Sequence, residues 1–175
     1  MSQSISQYNS VAKVIHWLSA LTIFSLFALG YWMVDLSYYS EWYKVAPYWH
    51  KSIGIILFAL TLFRVLWKML NKAPEIEGLA WEKSAAKIAH LLLYILLFST
   101  FISGYLISTA DGRGIEVFNW FTLPALGSLI ENQEDIAGEV HFYLTYSLIG
   151  LALLHALAAL KHHFINKDNT LKKMI

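Results

Sequence analysis

The sequence has no cysteine. That absence excludes disulfides, thiolate catalysis, covalent c-type haem attachment and iron–sulfur clusters ligated by the chain itself. Charge is scarce as well. Only 14% of the 175 residues are Asp, Glu, Lys or Arg, against roughly 25% in an ordinary soluble domain. The formal net charge of +1 gives no basic surface for nucleic acid. No flavin or nucleotide motif, internal repeat or low-complexity tract interrupts the chain.

What is abundant is apolar. Hydrophobic residues make up 57% of the chain, and the mean hydropathy is +0.49. A soluble fold of this length cannot hide so much apolar surface, whereas a membrane protein presents it to lipid. Four runs approach the roughly 20 apolar residues that a membrane helix needs: Val11 to Val34, Pro47 to Trp67, Ala85 to Ser108 and Val140 to Leu160. The expected architecture is an all-α membrane protein, a four-transmembrane-helix bundle forming one domain over residues 1–175. The first run is longer than a signal-peptide core and lacks a small-residue exit, so it reads as a retained span.

Basic residues set the expected orientation. Lys13, Arg64, Lys68, Lys72, Lys83, Lys87, Lys161, Lys167, Lys172 and Lys173 fall on one side, and Lys44, Lys51 and Arg113 on the other. By the positive-inside rule both termini are cytoplasmic. Tyr31, Trp32, Tyr38, Tyr39, Trp42, Tyr43, Tyr48 and Trp49 suit an aromatic belt at the outer interface. The segment from Thr109 to Glu139 reads as an amphipathic stretch on the outer membrane surface, or alternatively as a lid over a cofactor or quinone.

Five of the seven histidines fall within or at the start of the spans: His16, His50, His90, His141 and His155. Ionisable residues inside a membrane are rare and point to function, and imidazole is the usual axial ligand of b-type haem iron. Depth pairs them. His16 and His155 lie at similar depth near the cytoplasmic side, and His50 and His141 near the outer side. His141 and His155 are fourteen residues apart, about 21 Å along a helix axis, and within about 40° of one another around it. One helix face thus presents an imidazole near each membrane surface, an arrangement suited to two stacked haems. Arg64 stands fourteen residues after His50. It reads either as a partner for a haem propionate or as a side chain reaching to the interface. His90 is the rival to His155, and also suits a quinone pocket. Lys161, His162 and His163 read as a basic end that meets lipid headgroups or propionates. Gly54, Gly104 and Gly150 suit either haem clearance or helix packing.

The segments Ile15-His16-Trp17-Leu18, His50-Lys51-Ser52-Ile53-Gly54, Arg64-Val65-Leu66-Trp67, His90-Leu91-Leu92-Leu93-Tyr94, His141, Leu154-His155-Ala156 and Lys161-His162-His163-Phe164 occur in this order over nearly the whole chain. In them the chain resembles the bacterial cytochrome b561 family, which is similar to the cytochrome b subunits of nickel-iron hydrogenases and formate dehydrogenases. The resemblance implies a multi-pass protein of the bacterial inner membrane with two non-covalent b haems (iron protoporphyrin IX). His16 and His155 would hold the cytoplasmic-side haem, and His50 and His141 the outer one. It also implies a respiratory-chain role, with electron exchange with membrane quinone and, for one activity of the family, oxidation of superoxide at the outer face. Membrane lipid and quinone are the expected partners. A second reading is an electron-transfer anchor for a separate dehydrogenase or a soluble donor or acceptor protein. A third is a haem-free bundle binding a transition metal through its histidines.

Overall fold

A computed structural model describes residues 6–175. Four long helices dominate it: α1 (Ser10–Met33), α2 (Trp42–Leu70), α3 (Ala80–Thr109) and α4 (Gln133–Lys161). A β-hairpin, β1 (Ile115–Val117) with β2 (Phe121–Leu123), lies between α3 and α4. All four helices are long and apolar enough to cross a membrane. Only 6–17% of the residues in each span's most apolar stretch are buried inside the protein. The remaining apolar surface is that of helices solvated by lipid on most sides.

The helices run beyond the four hydrophobic stretches. At 24 to 30 residues and about 1.5 Å per residue, they exceed a hydrocarbon core of roughly 30 Å. Helix α2 starts at Trp42 and carries Pro47 inside its N-terminal part. Helix α4 starts at Gln133, with Glu134 and Asp135 in its first turn, where negative charge complements the unpaired backbone N–H groups. Gln133 is itself buried. Its amide donates to the Leu106 carbonyl (2.9 Å) and its oxygen accepts from Leu129 N–H (2.7 Å), tying the start of α4 to the end of α3. Helix α1 begins on Asn9, whose side chain accepts from Ala12 N–H (2.9 Å), an N-cap of the ordinary kind.

The bundle is two helix pairs. Helix α1 packs along α2 and α3 along α4, whereas α1 meets α4, and α2 meets α3, only sparsely. Small hydroxyl residues line the tight contacts: Ser19, Thr61, Ser103 and Thr109 are buried. Each returns its hydroxyl proton to a carbonyl of its own helix, at Ile15, Leu57, Thr100 and Tyr105 respectively. That satisfies the polar group internally and lets neighbouring backbones approach.

At the end of the bundle away from the termini, the hairpin sits on α2. Ser52 is fully buried. Its hydroxyl donates to the Glu116 carbonyl (3.2 Å) and accepts from Phe118 N–H (3.3 Å). Tyr48 Oη donates to Asn119 Oδ1 (3.2 Å), and the Phe118 ring packs edge-on against Trp49 and Tyr48. Phe118 and Asn119 take left-handed backbone angles (φ 45° and 58°) to close the turn. The segment read as an amphipathic surface stretch is therefore partly a fixed hairpin, with Val117 fully buried.

Candidate functional site

The sparse contact between the two helix pairs leaves their facing sides to the histidines. The His50 ring on α2 faces that of His141 on α4, with centroids 6.4 Å apart and planes at 72°. Toward the terminal end, His16 on α1 faces His155 on α4, with centroids again 6.4 Å apart and planes at 66°. One side of α4 thus supplies a histidine to each pair, as its fourteen-residue spacing requires. His90 on α3 also approaches His155, but its centroid is 5.2 Å away.

Helix α3 fixes the tautomer of His141. Its Nδ1 lies 3.1 Å from the Thr100 carbonyl and 3.0 Å from Ser103 Oγ. A carbonyl can only accept, so Nδ1 carries the proton and donates, and Nε2 is left with its lone pair for a metal. A Cβ at Gly104 would stand 3.1 Å from His141 Cε1, and one at Gly30 would stand 3.1 Å from His50 Cε1. Each glycine makes room for one imidazole of this pair. Gly30 carries no signal in the sequence beyond being a glycine in a span. A Cβ at Gly54 or Gly150 would meet no atom within 4 Å, so neither glycine serves a tight helix contact. Among the described residues the buried Nδ1 atom of His50 has no hydrogen-bond partner of good geometry.

The other pair is bordered by cations. Arg64 Nη2 lies 3.0 Å from His16 Nδ1. A guanidinium only donates, so His16 Nδ1 accepts and its ring proton sits on Nε2. The Arg64 guanidinium also lies over the Tyr94 ring, 5.6 Å from its centroid, and Lys68 Nζ lies 5.2 Å from the same centroid. Arg64 therefore turns inward rather than out to the interface.

Lys161 and His162, read from the sequence as part of a basic end that meets headgroups or propionates, are paired with acids of the protein itself. Lys161 Nζ bonds Glu82 Oε1 (2.5 Å), and Glu82 is 7% exposed. The same carboxylate accepts from Leu79 N–H (2.8 Å) at the start of α3. His162 Nδ1 bonds Asp168 Oδ2 (2.5 Å), and its Nε2 lies 3.9 Å from Glu82. The last residues then fold back along α1: Trp17 Nε1 donates to the Met174 carbonyl (2.8 Å), and Lys173 pairs with Glu77 (2.7 Å). Burial alone would raise the Asp168 pKa. Hydrogen bonds from His162 and Thr170, with the His162 charge, outweigh it and bring the carboxyl down to about 2. A depressed carboxyl stabilises the docked tail above its ordinary value near 3.8, and that contribution is lost as pH falls through about 2. Amide hydrogen-exchange protection over residues 168–174 should therefore be flat from neutral pH to about 4 and fall toward pH 2. Asp168→Asn should lower it throughout.

The fit of an iron porphyrin can be tested on the ring separations. A metal–imidazole bond of about 2 Å on either side, plus about 1.1 Å from each nitrogen to its ring centre, would place two axial imidazoles roughly 6.2 Å apart. Both depth-matched pairs meet this value. His90 and His155 stand too close to share one iron axially. Among the described residues no three His, Cys, Asp or Glu side chains gather as a metal cluster. The pairs therefore suit a group that brings its own equatorial nitrogens. His141 also presents the correct nitrogen, whereas His16 does so once Arg64 releases Nδ1.

Comparisons with known proteins bear on the chain as a whole. The family model described as prokaryotic cytochrome b561 matches residues 7–175. The chain is 48% identical to cytochrome b561 homolog 2 of Escherichia coli (strain K12), over 97% of this chain and 91% of that protein. It is 27% identical to cytochrome b561 homolog 1 of the same organism, over 98% of each. It is 28% identical to a Yersinia pestis protein named "Probable superoxide oxidase CybB", over 97% of this chain and 96% of that one. A family match over nearly the whole chain, with four membrane-length helices, makes this a multi-pass membrane protein of electron transfer for which b-type haem is the implied cofactor. The chain belongs to the prokaryotic cytochrome b561 family.

Proposed function

We propose that the chain carries electrons across the bacterial inner membrane through two b-type haems, exchanging them with membrane quinone and accepting them from superoxide at the outer face. The observation that supports this most is the repeated 6.4 Å separation of facing imidazoles, once at each end of one face of α4. In this reading His50 and His141 would hold the outer haem, His16 and His155 the cytoplasmic one, and Arg64 would balance the charge of the latter's propionates. A bis-histidine b haem supplies one-electron exchange and has no vacant axial position for oxygen activation.

The protein's own part is to orient and to exclude water. Thr100 and Ser103 hold the His141 ring by its Nδ1 proton, which fixes the ligating nitrogen and raises its basicity. Gly30 and Gly104 let the outer imidazoles lie close against α1 and α3. The hairpin, latched by Ser52 two residues after His50, keeps the outer end in place. The apolar faces of the four spans keep the surroundings dry, and the basic side with both termini lies in the cytoplasm.

Superoxide as donor rests on the name of the Yersinia pestis relative. The test is reduction of the purified chain by enzymatically generated superoxide, followed through the b-type absorption bands, then reoxidation by added ubiquinone. Fast reduction of the chain alone is the expected result. Reduction that waits for a co-purifying protein assigns the chain instead to an anchor role.

A further inference from the structure

The face of α1 turned away from the bundle carries a groove at its terminal end. Its floor is Val14, Trp17, Leu18 and Leu21, which recur at helical spacing and are all exposed. A short 3₁₀ turn, Leu171–Met174, lies alongside, and Met174 and Ile175 form the facing wall. The Trp17 indole N–H, donating to the Met174 carbonyl, fixes that wall to the helix. The groove encloses about 480 Å³, within the roughly 300–1,000 Å³ of small-ligand sites. From Lys13 to Leu21 it descends about 12 Å into the span.

Lys13 is the one charged side chain that lines it. Its Nζ donates to Gln7 Oε1 (3.0 Å) and to the Ile175 backbone oxygen (2.5 Å). An ammonium has three donors, so one is left. Among the described residues no Asp or Glu pairs with Lys13, whereas Lys161 and Lys173 each have an acid. This end of the protein is short of acids altogether. It carries ten Lys and Arg against Glu75, Glu77, Glu82 and Asp168, and Lys173, Lys161 and His162 take three of those four.

We propose that the groove is a site for one anionic phospholipid of the cytoplasmic leaflet, with an acyl chain between α1 and the tail and the headgroup phosphate on Lys13. The chemistry is divided as such a ligand requires, apolar within the span and cationic at the interface, where a donor is still free. A half-exposed tryptophan at this depth is an ordinary interfacial residue. What marks the site is the second wall, which a helix bare to lipid lacks. A quinone would suit the apolar part, but its uncharged carbonyls leave the cationic surplus unbalanced. The proposal stands whether or not the histidine pairs hold haem.

The experiment uses the purified full chain in phosphatidylcholine nanodiscs. These contain a trace of phosphatidylglycerol or phosphatidylcholine with a photoactivatable diazirine on the acyl chain, and adducts are mapped by peptide mass spectrometry. The phosphatidylglycerol probe should label residues 13–21 and 171–175, and unlabelled phosphatidylglycerol should compete with it. Lys13→Gln should cut this labelling about fivefold. Val14→Trp fills the groove from an exposed position and should abolish it, whereas Ile88→Trp, at an exposed position of α3 near the same end, should leave it unchanged. Equal labelling by the two probes, unaltered in Lys13→Gln, would mark these residues as ordinary lipid contacts and overturn the proposal. Displacement of the probe by ubiquinone but not by phosphatidylglycerol would overturn it in favour of a quinone.

Discussion

His155→Ala should halve the haem content of the purified protein, from about two per chain to about one, whereas His90→Ala should leave both haems in place. The two residues compete for the same role by sequence depth alone. His155 faces His16 at 6.4 Å, a separation that suits one iron between them, whereas His90 stands 5.2 Å from His155, too close for those two to share an iron. His16→Ala should lose the same haem as His155→Ala. The double variant should lose no more haem than either single one, because one iron needs both imidazoles and the effects are not additive. Pyridine-haemochrome quantitation on the four variants checks this. Retention of both haems in His155→Ala, with loss of one in His90→Ala, would reverse the assignment.

At the outer pair, His141→Ala should remove the other haem, and Gly104→Val should come close to the same result without touching a ligand. A Cβ at residue 104 already stands 3.1 Å from His141 Cε1, tighter than ordinary van der Waals contact. The two methyl groups of valine extend further toward the ring. Relief requires the imidazole to turn away from the Thr100 carbonyl and Ser103 Oγ, which set its tautomer. Helical circular dichroism should be unchanged, since valine is a better helix former than the glycine it replaces. The cytoplasmic-side haem, on other residues of the bundle, should remain. Gly30→Val tests the mirror contact on His50 and should lose the same outer haem.

The spans, their number and the histidine pairs are legible in the sequence because each rests on a strong regularity. Lipid demands long apolar runs, and fourteen residues return a helix nearly to the same face. The ends of the helices are less legible. Pro47 suggests a start to α2, since proline removes a backbone donor, yet the helix begins at Trp42 and carries the proline within it. The charged opening of α4, Gln133 to Glu139, has no hydropathy signal. It is helical because Gln133 ties it to α3 and acids favour a helix N-terminus. The hairpin at Ile115–Leu123 depends on Ser52, 64 residues before Glu116, and such long-range latches leave no local pattern. Lys161 and His162 count as basic surface until the fold brings Glu82 and Asp168 to them. The supports of the facing imidazoles are the least legible part. Thr100, Ser103, Gly30 and Gly104 are ordinary residues of a membrane helix until the imidazole beside each is in place.

The central claim is that two facing histidine pairs each hold one b haem. Haem and protein measured together on the purified wild-type chain test it most directly. The account predicts about two non-covalent b haems per chain, both low-spin because both axial positions are filled. One haem per chain, or a high-spin signal from an iron with an open axial position, would contradict it.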